Sequence, residues 1–310
     1  YMPVMAQFSD IIQESEKMQE CVQLAKLFAY SEQPVVLRGE PGTERRIIAE
    51  SIHNSSMRRT GPFLDIPCEG LAEQEQWNLI FGEKGAAVQA QGGTLLLQDA
   101  DQLSFPNQYR LYQLIRFHVY YGAQIGNLRK LDVRVIATVS RSLNQLVKEG
   151  KMRKDLFYLL SGLELEVPPL RERKEDLPLL VDNFIHRLNY QLGMVIEGVA
   201  PGAMDLLMDY DWPGNVRELQ NAVESAMNAA DSPILRRRDF RQLEQRMRAR
   251  RRRQLTGPGD FKLRPARQAF ERELIRDALA AAGGNRVKAA ALLDISRTVL
   301  YEKMEQYQLK

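Results

Sequence analysis

Residues 35–46 read Val-Val-Leu-Arg-Gly-Glu-Pro-Gly-Thr-Glu-Arg-Arg, a buried strand, a glycine-punctuated turn and the start of a helix. That order of elements can cradle phosphate. In the pattern Gly-x-x-x-x-Gly-Lys-Ser/Thr, backbone N–H groups hold the anion and the lysine reaches its terminal phosphates. Gly39 stands at the first glycine, whereas Glu44, Arg45 and Arg46 stand at the second glycine, the lysine and the hydroxyl positions. A carboxylate at Glu44 would face phosphate, and Arg45 keeps the positive charge without the compact ammonium geometry. The sequence predicts a nucleotide site, approached by Arg38, Gly39, Gly42, Thr43, Arg45 and Arg46, whose catalytic parts have been replaced.

A second set of chemically suggestive residues lies near the C-terminus. Phe270, Leu274, Ala278 and Ala282 recur every four residues in a helix that Gly283-Gly284 ends. Asn285 can cap a short second helix running to Leu292, and Ser296 a third over Arg297–Tyr307. Two helices joined by a tight turn form a helix-turn-helix. Ser296, Arg297, Thr298, Tyr301 and Lys303 fall on or near the first turns of its recognition helix, so Arg297 and Thr298 are the expected base readers. Asn285, Arg286 and Lys288 are expected on backbone phosphates. Tyr301 suits either a phosphate contact or partly buried packing. Double-stranded DNA is the expected partner.

The elements that must position these residues are legible as periodicity. Apolar runs at Val35–Arg38, Phe63–Ile66, Thr94–Leu97, Val133–Thr138 and Leu163–Val167 alternate with helical patterns, which argues a parallel sheet with helices on both faces. Pro168-Pro169 closes that region. Helical patterns follow at Asp176–Leu192, Pro201–Tyr210 and Asn215–Ala230. Arg236, Arg237, Arg238, Arg241, Arg246, Arg248 and Arg250–Arg253 then face only Asp239 and Glu244, and a Gly-Pro-Gly breaker comes after them. This stretch reads as a solvated tether that could also touch DNA phosphates.

The 310 residues, 44% hydrophobic and 27% charged with a net charge of +3, are enough for two or three globular units. No apolar run approaches the roughly 18 residues of a membrane helix, and no signal peptide opens the chain, so a cytoplasmic protein is expected. Its start at Tyr1 suggests that an upstream segment is missing. Cys21 and Cys68 read as buried thiols, and His53, His118 and His186 are too scattered for zinc.

With these motifs placed, the chain resembles the bacterial enhancer-binding proteins, the AAA+ activators of sigma-54 RNA polymerase, over nearly its whole length. Gly-Gly-Thr-Leu-Leu-Leu at 92–97, Asp-Val-Arg-Val-Ile-Ala at 132–137, Pro-Pro-Leu-Arg-Glu-Arg at 168–173 and Trp-Pro-Gly-Asn-Val-Arg-Glu-Leu at 212–219 carry the resemblance in the body. Gly-Gly-Asn at 283–285 and Ile-Ser-Arg-Thr-x-Leu-Tyr at 295–301 carry it in a Fis-type tail. It implies an α/β fold: an AAA+ P-loop-type parallel sheet sandwiched by helices, with an all-α lid and a C-terminal three-helix helix-turn-helix domain. The expected divisions are 1–168 for the α/β part, 169–232 for the lid, 233–265 for an Arg-rich linker and 266–310 for the DNA-binding domain. RNA polymerase and a homodimer or higher homo-oligomer are the implied partners, since Fis-type tails pair through their first helix.

Departures from the family cluster at one site. The Walker B Asp-Glu pair becomes Gln98-Asp99, and the asparagine before Cys68 becomes Pro67. The sensor I position falls on Ser140. Of the paired arginine fingers the first matches Arg153 and the second falls on Leu159, while the sensor II arginine matches Arg217. Asp99 could still coordinate a cation, but Gln98 supplies only a neutral oxygen. Positioning and charge neutralisation are nearly all of phosphoryl-transfer catalysis, so hydrolysis is expected to be absent, with no catalytic residue and no metal site. The family's Gly-Ala-Phe-Thr-Gly-Ala loop, which touches sigma-54, becomes Gly85-Ala86-Ala87-Val88-Gln89-Ala90, losing the Phe, Thr and Gly, and shortens directly into Gly92-Gly93-Thr94.

These losses lead to a DNA-binding regulator with a degenerate AAA+ domain, acting with a polymerase other than the sigma-54 form. Arg38, Arg45, Arg46, Arg153 and Arg217 could hold cyclic-di-GMP, as in the atypical VpsR-like regulators, since arginine forks bind phosphate and stack on guanine. ATP or ADP bound without hydrolysis is the other expected cofactor. An ATP-hydrolysing sigma-54-dependent activator and a ligand-free DNA-bound scaffold remain the alternatives.

Overall fold

The computed structural model of the chain describes residues 6–121, 128–255, 263–307 and 309. Contacts divide it into two compact units, Tyr1–Phe240 and Arg241–Lys310.

In the first unit, β1 (Val35–Arg38), β2 (Phe63–Pro67) and β3 (Thr94–Gln98) precede a small antiparallel pair, β4 (Val119–Tyr121) with β5 (Leu128–Lys130). Strands β6 (Arg134–Val139) and β7 (Glu164–Glu166) follow. Five of these make one parallel sheet in the order β2-β3-β6-β1-β7. Successive side chains of a strand point to opposite faces, and both faces here are covered, which is why the central strands read as continuous apolar runs. Val35, Leu37, Leu96 and Ile136 pack on one face against α1 (Glu16–Ala29) and α2 (Arg45–Asn54). Val36, Leu95, Leu97, Val135 and Ala137 pack on the other. There they meet the single-turn α4 (Ala86–Gln89), which follows α3 (Glu73–Gln76), and the helices α5 (Phe105–Phe117), α6 (Leu143–Lys148) and α7 (Lys154–Leu160). A one-residue slip would turn both sets the wrong way, so the register is fixed by burial.

Arg134, 1% exposed, fastens α1 to the sheet by donating to the carbonyls of Phe28 at 2.5 Å and Gln33 at 3.3 Å, beside the end of that helix. Burial pulls its pKa down to about 10. Cys21 and Cys68 are free and buried, and burial pushes both thiols up to about 12.

The helical part of this unit holds α8 (Leu177–Leu192), α9 (Pro201–Asp209) and α10 (Asn215–Ala229). Trp212 is its fully buried anchor, with Nε1 donating to Leu207 O at 2.9 Å and its ring edge-on to Tyr210. The boundary expected at 232 is corrected. The short strand β9 (Ile234–Leu235) pairs with β8 (Gly198–Val199), and Phe240 is 2% exposed, so residues 234–240 belong to this unit rather than to a linker. The Arg-rich stretch expected as a tether is helical over α11 (Arg241–Leu255). The Gly-Pro-Gly breaker lies outside the described residues.

In the second unit α12 (Leu263–Ala281), α13 (Arg286–Leu292) and α14 (Arg297–Gln306) enclose Ile275, Ala278, Ala289, Ala290, Leu300 and Met304. Gly283 and Gly284, at φ of +60° and +80°, end α12 in the left-handed conformation that glycine adopts without penalty. Asn285 accepts from the N–H groups of Val287 and Lys288, and Ser296 from that of Val299, so both caps form as the sequence predicts.

Candidate functional site

The glycine turn sits between the C-terminal end of β1 and the start of α2. Gly39 N donates to Val139 O at 3.0 Å, and Thr43 Oγ1 donates to the Glu40 carbonyl at 2.7 Å. Gly42, at φ +82°, lies so close to the helical subdomain that a Cβ there would be 2.1 Å from Gly214 O. Arg217 N returns a hydrogen bond to Gly42 O at 3.2 Å. Asn215 is the first residue of α10, after an N-cap at Gly214. Fully buried and at φ +53°, it donates from Nδ2 to Pro41 O and to Glu40, and accepts from Leu170 N. Arg171 grips Glu40 through two bonds of 2.7 and 2.8 Å. That guanidinium, helped by Asn215, holds the Glu40 carboxyl below its usual pKa.

Each replaced residue of the loop has found a partner inside the protein. Arg45, 7% exposed, donates to Asp99 Oδ1 at 3.0 Å, joining the lysine position to the second Walker B position. Asp99 adopts φ +53°, uncommon for a non-glycine residue, and its N–H donates to Thr138 Oγ1. Arg46 pairs with Asp65 at 2.5 Å and Glu50 at 3.3 Å, and Gln98 donates to the other Asp65 oxygen. Glu44 accepts from Arg173 at 2.6 Å. Arg173, 1% exposed, also grips the fully buried Asp176 and donates to Ile12 O, while Asp176 takes both the N–H and the hydroxyl of Ser15.

The arginines expected to converge on a ligand are engaged separately. Arg38 pairs with Glu164 and Glu166 of the edge strand, and Arg153 pairs with Asp155 and lies over the Tyr109 ring. Arg217 is exposed and has no ion pair among the described residues. The arginines expected at a ligand are thus held in charge pairs, Arg217 excepted. Arg171, Arg173, Asn215 and Asp65 do the pairing and were missed as site residues, although three of them sit inside motifs that mark the family resemblance.

The alanines of the shortened loop face inward, while Gln89 is exposed. Gly85, Ala86, Ala87 and Ala90 are buried against the sheet with Ile80 and Phe81.

In the tail, Arg297 and Thr298 are exposed at the start of α14. Tyr301 is half-exposed, and the Arg286 guanidinium lies over its ring at 5.3 Å. Lys288 is exposed, whereas the Asn285 and Ser296 oxygens serve as caps. The Lys303 ammonium, expected at DNA, binds Glu271 of α12 at 2.5 Å, where Tyr307 also donates. Lys303 and the Tyr307 hydroxyl hold the Glu271 carboxyl down at about 2.

A parallel five-stranded sheet with a phosphate-loop turn, a helical lid and a helix-turn-helix unit define an AAA+ protein joined to a DNA-binding module. Family models agree: the sigma-54 interaction domain matches residues 11–166, the AAA+ ATPase lid domain 171–256, and the Fis family of bacterial regulatory proteins 266–307. Regulatory protein AtoC of Escherichia coli (strain K12) is 34% identical over 97% of this chain and 68% of its own length. Transcriptional activator RocR of Bacillus subtilis (strain 168) is 34% identical over 98% and 68%. Among solved structures, NtrX from Brucella abortus in complex with ADP superposes with a TM-score of 0.74 at 25% identity, over 97% of this chain and 70% of that one. The chain belongs to the sigma-54-type family of DNA-binding transcription regulators, the bacterial enhancer-binding proteins.

Proposed function

We propose that this chain is a sequence-specific, cytoplasmic transcription regulator whose AAA+ domain does not hydrolyse ATP. The Arg45–Asp99 ion pair carries the reading: the cation that would meet terminal phosphates and the carboxylate beside the metal position neutralise each other. Gln98, tied to Asp65, offers a neutral oxygen where a divalent cation calls for carboxylate. These side chains do not fit a magnesium-bound triphosphate poised for transfer. The domain then serves as a platform that pairs copies of the chain and presents their DNA-binding units to RNA polymerase. With Gly85, Ala86, Ala87 and Ala90 buried and Val88 partly so, the loop turns chiefly Gln89 outward, which supports action with a polymerase carrying another sigma factor.

Nucleotide binding without hydrolysis is compatible with the retained Gly39, Gly42, Thr43 and Arg217, and the ADP and ATP complexes of NtrX support it. Cyclic-di-GMP rests on narrower ground than the sequence suggests, because Arg38, Arg45, Arg46 and Arg153 would each have to release a carboxylate to take a phosphate. Only Arg217 of that set is open to one among the described residues.

Phosphate release from ATP by the full chain should match that of an Arg217→Ala control, and release clearly above it overturns the proposal. Calorimetry with ATP, ADP and cyclic-di-GMP side by side identifies the ligand. Heat that is insensitive to EDTA is expected, whereas tight magnesium-dependent ATP binding restores the ATP-using reading.

A further inference from the structure

We propose that α11 is a second, sequence-independent DNA-binding element that lies along the phosphate backbone beside the site read by α14. The inference rests on the DNA-binding reading of the second unit and adds a site to it.

Fifteen helical residues span about 22 Å at about 1.5 Å per residue. Over that length a DNA duplex offers roughly one phosphate charge per 1.7 Å. Arg241, Arg248 and Arg252 recur at i, i+7 and i+11, which puts their positions on one helix face. Leu243, 4% exposed, lies on the opposite face and turns it inward. Arg241 and Arg248 are exposed. Glu244 is the only acidic residue in the sequence of the helix.

The composition selects the partner. α11 carries no aromatic residue on which an unpaired RNA base could stack. Its apolar Leu243 is buried and Met247 half-buried, so the described residues leave no apolar face to insert into a lipid interface or to anchor a protein partner. What remains is a rod of guanidinium charge, suited to phosphate oxygens and blind to base identity. It packs against α12, in the same unit as the helix-turn-helix.

The test uses the full chain, a duplex carrying its selected site, and a random duplex of equal length, each titrated across a range of salt. The triple variant Arg241→Ala, Arg248→Ala, Arg252→Ala should weaken both duplexes by the same factor. Its log–log salt slope should fall by about 2–3, near 0.9 for each phosphate that is no longer neutralised. A triple Arg→Lys variant should keep the slope, which separates lost charge from lost folding. In parallel, Arg297→Ala should cut binding to the selected site alone. An unchanged slope in the alanine triple overturns the inference while Arg297→Ala still upholds the DNA-binding reading. A defect seen only with single-stranded RNA or with anionic phosphatidylserine vesicles overturns it as well. Failure of the wild-type chain to bind any duplex sinks both.

Discussion

Arg45 shows how an ion pair can take up the side chain at the lysine position of a phosphate loop. At 7% exposure its guanidinium has little water, and Asp99 replaces that water with one charge-assisted bond of 3.0 Å. Removing one partner of such a pair strands the other, so Arg45→Met should destabilise the first unit by about 1–3 kcal/mol, less than for a fully buried pair because Asp99 stays partly hydrated. Adding Asp99→Asn should restore most of that loss. Urea midpoints of the two variants and the parent decide it, and equal midpoints for Arg45→Met and the parent would mean the pair contributes nothing. Glu271 supplies a pH signature at the same scale. Its folded pKa of about 2 lies below the ordinary 4.5 because Lys303 and Tyr307 favour the ionised form. The stability it contributes is present above about pH 4.5 and is lost as pH falls towards 2. Between those values the isolated fluorescence or dichroism signal of the tail should weaken in the parent chain. In Glu271→Gln the same pH interval should be flat, and an equal slope in both would remove Glu271 from the account. None of these pairings was legible in sequence. Arg45 and Asp99 are 54 residues apart, Arg173 and Glu44 129, and only the fold brings such charges within reach.

Elements were far more legible than their partners. The strands of the main sheet fall within a residue or two of the apolar runs, because two-sided burial demands unbroken Val, Ile and Leu. The two caps of the helix-turn-helix follow from Asn285 and Ser296 alone. The β4–β5 pair is not legible because three-residue strands leave no period, and the helix α11 is masked in sequence by an arginine run whose charge suggests a tether although arginine is a good helix former. At the loop, Gly42 joins sequence pattern to geometry. Alanine there would hold φ +82° at a cost of about 1–2 kcal/mol and drive a methyl against the Gly214 carbonyl. Gly42→Ala should therefore part the loop from the helical subdomain, lowering the melting temperature and exposing Trp212 to a fluorescence quencher. An unaltered quenching curve would show that the contact is not what holds the subdomain. In the tail, Arg297 is exposed at the N-terminal turn of α14 and Arg286 is stacked on Tyr301. Arg297→Ala should cost specific binding about 1–3 kcal/mol if it makes a bidentate base contact. Arg286→Ala should weaken selected and random duplexes alike. Identical effects of the two on both duplexes would refute this division of roles.

At the scale of the whole molecule, pairing of two copies would bring two recognition helices onto one DNA site. The sequence offered Phe270, Leu274, Ala278 and Ala282 as a pairing face of α12. That face is divided: Ala278 is 8% exposed and packs with Ile275 against α13 and α14, whereas Phe270 and Leu274 are each 47% exposed. One turn apart on the same helix side, the two exposed residues make an apolar patch that a second copy of α12 could cover across a two-fold axis. The patch is small, since a stable interface buries roughly 1,200–2,000 Å² in total. The tail alone should thus pair weakly, with the AAA+ domains or the DNA supplying the rest. Such a dimer predicts a two-fold symmetric operator with half-sites about one helical turn apart. Phe270→Asp with Leu274→Asp places like charges on the axis without entering the core of the unit. The variant should keep its helical dichroism, sediment at a lower mass at a given concentration, and protect one half-site where the parent protects two. A parent chain that sediments as a monomer and footprints a single asymmetric half-site would rule the pairing out.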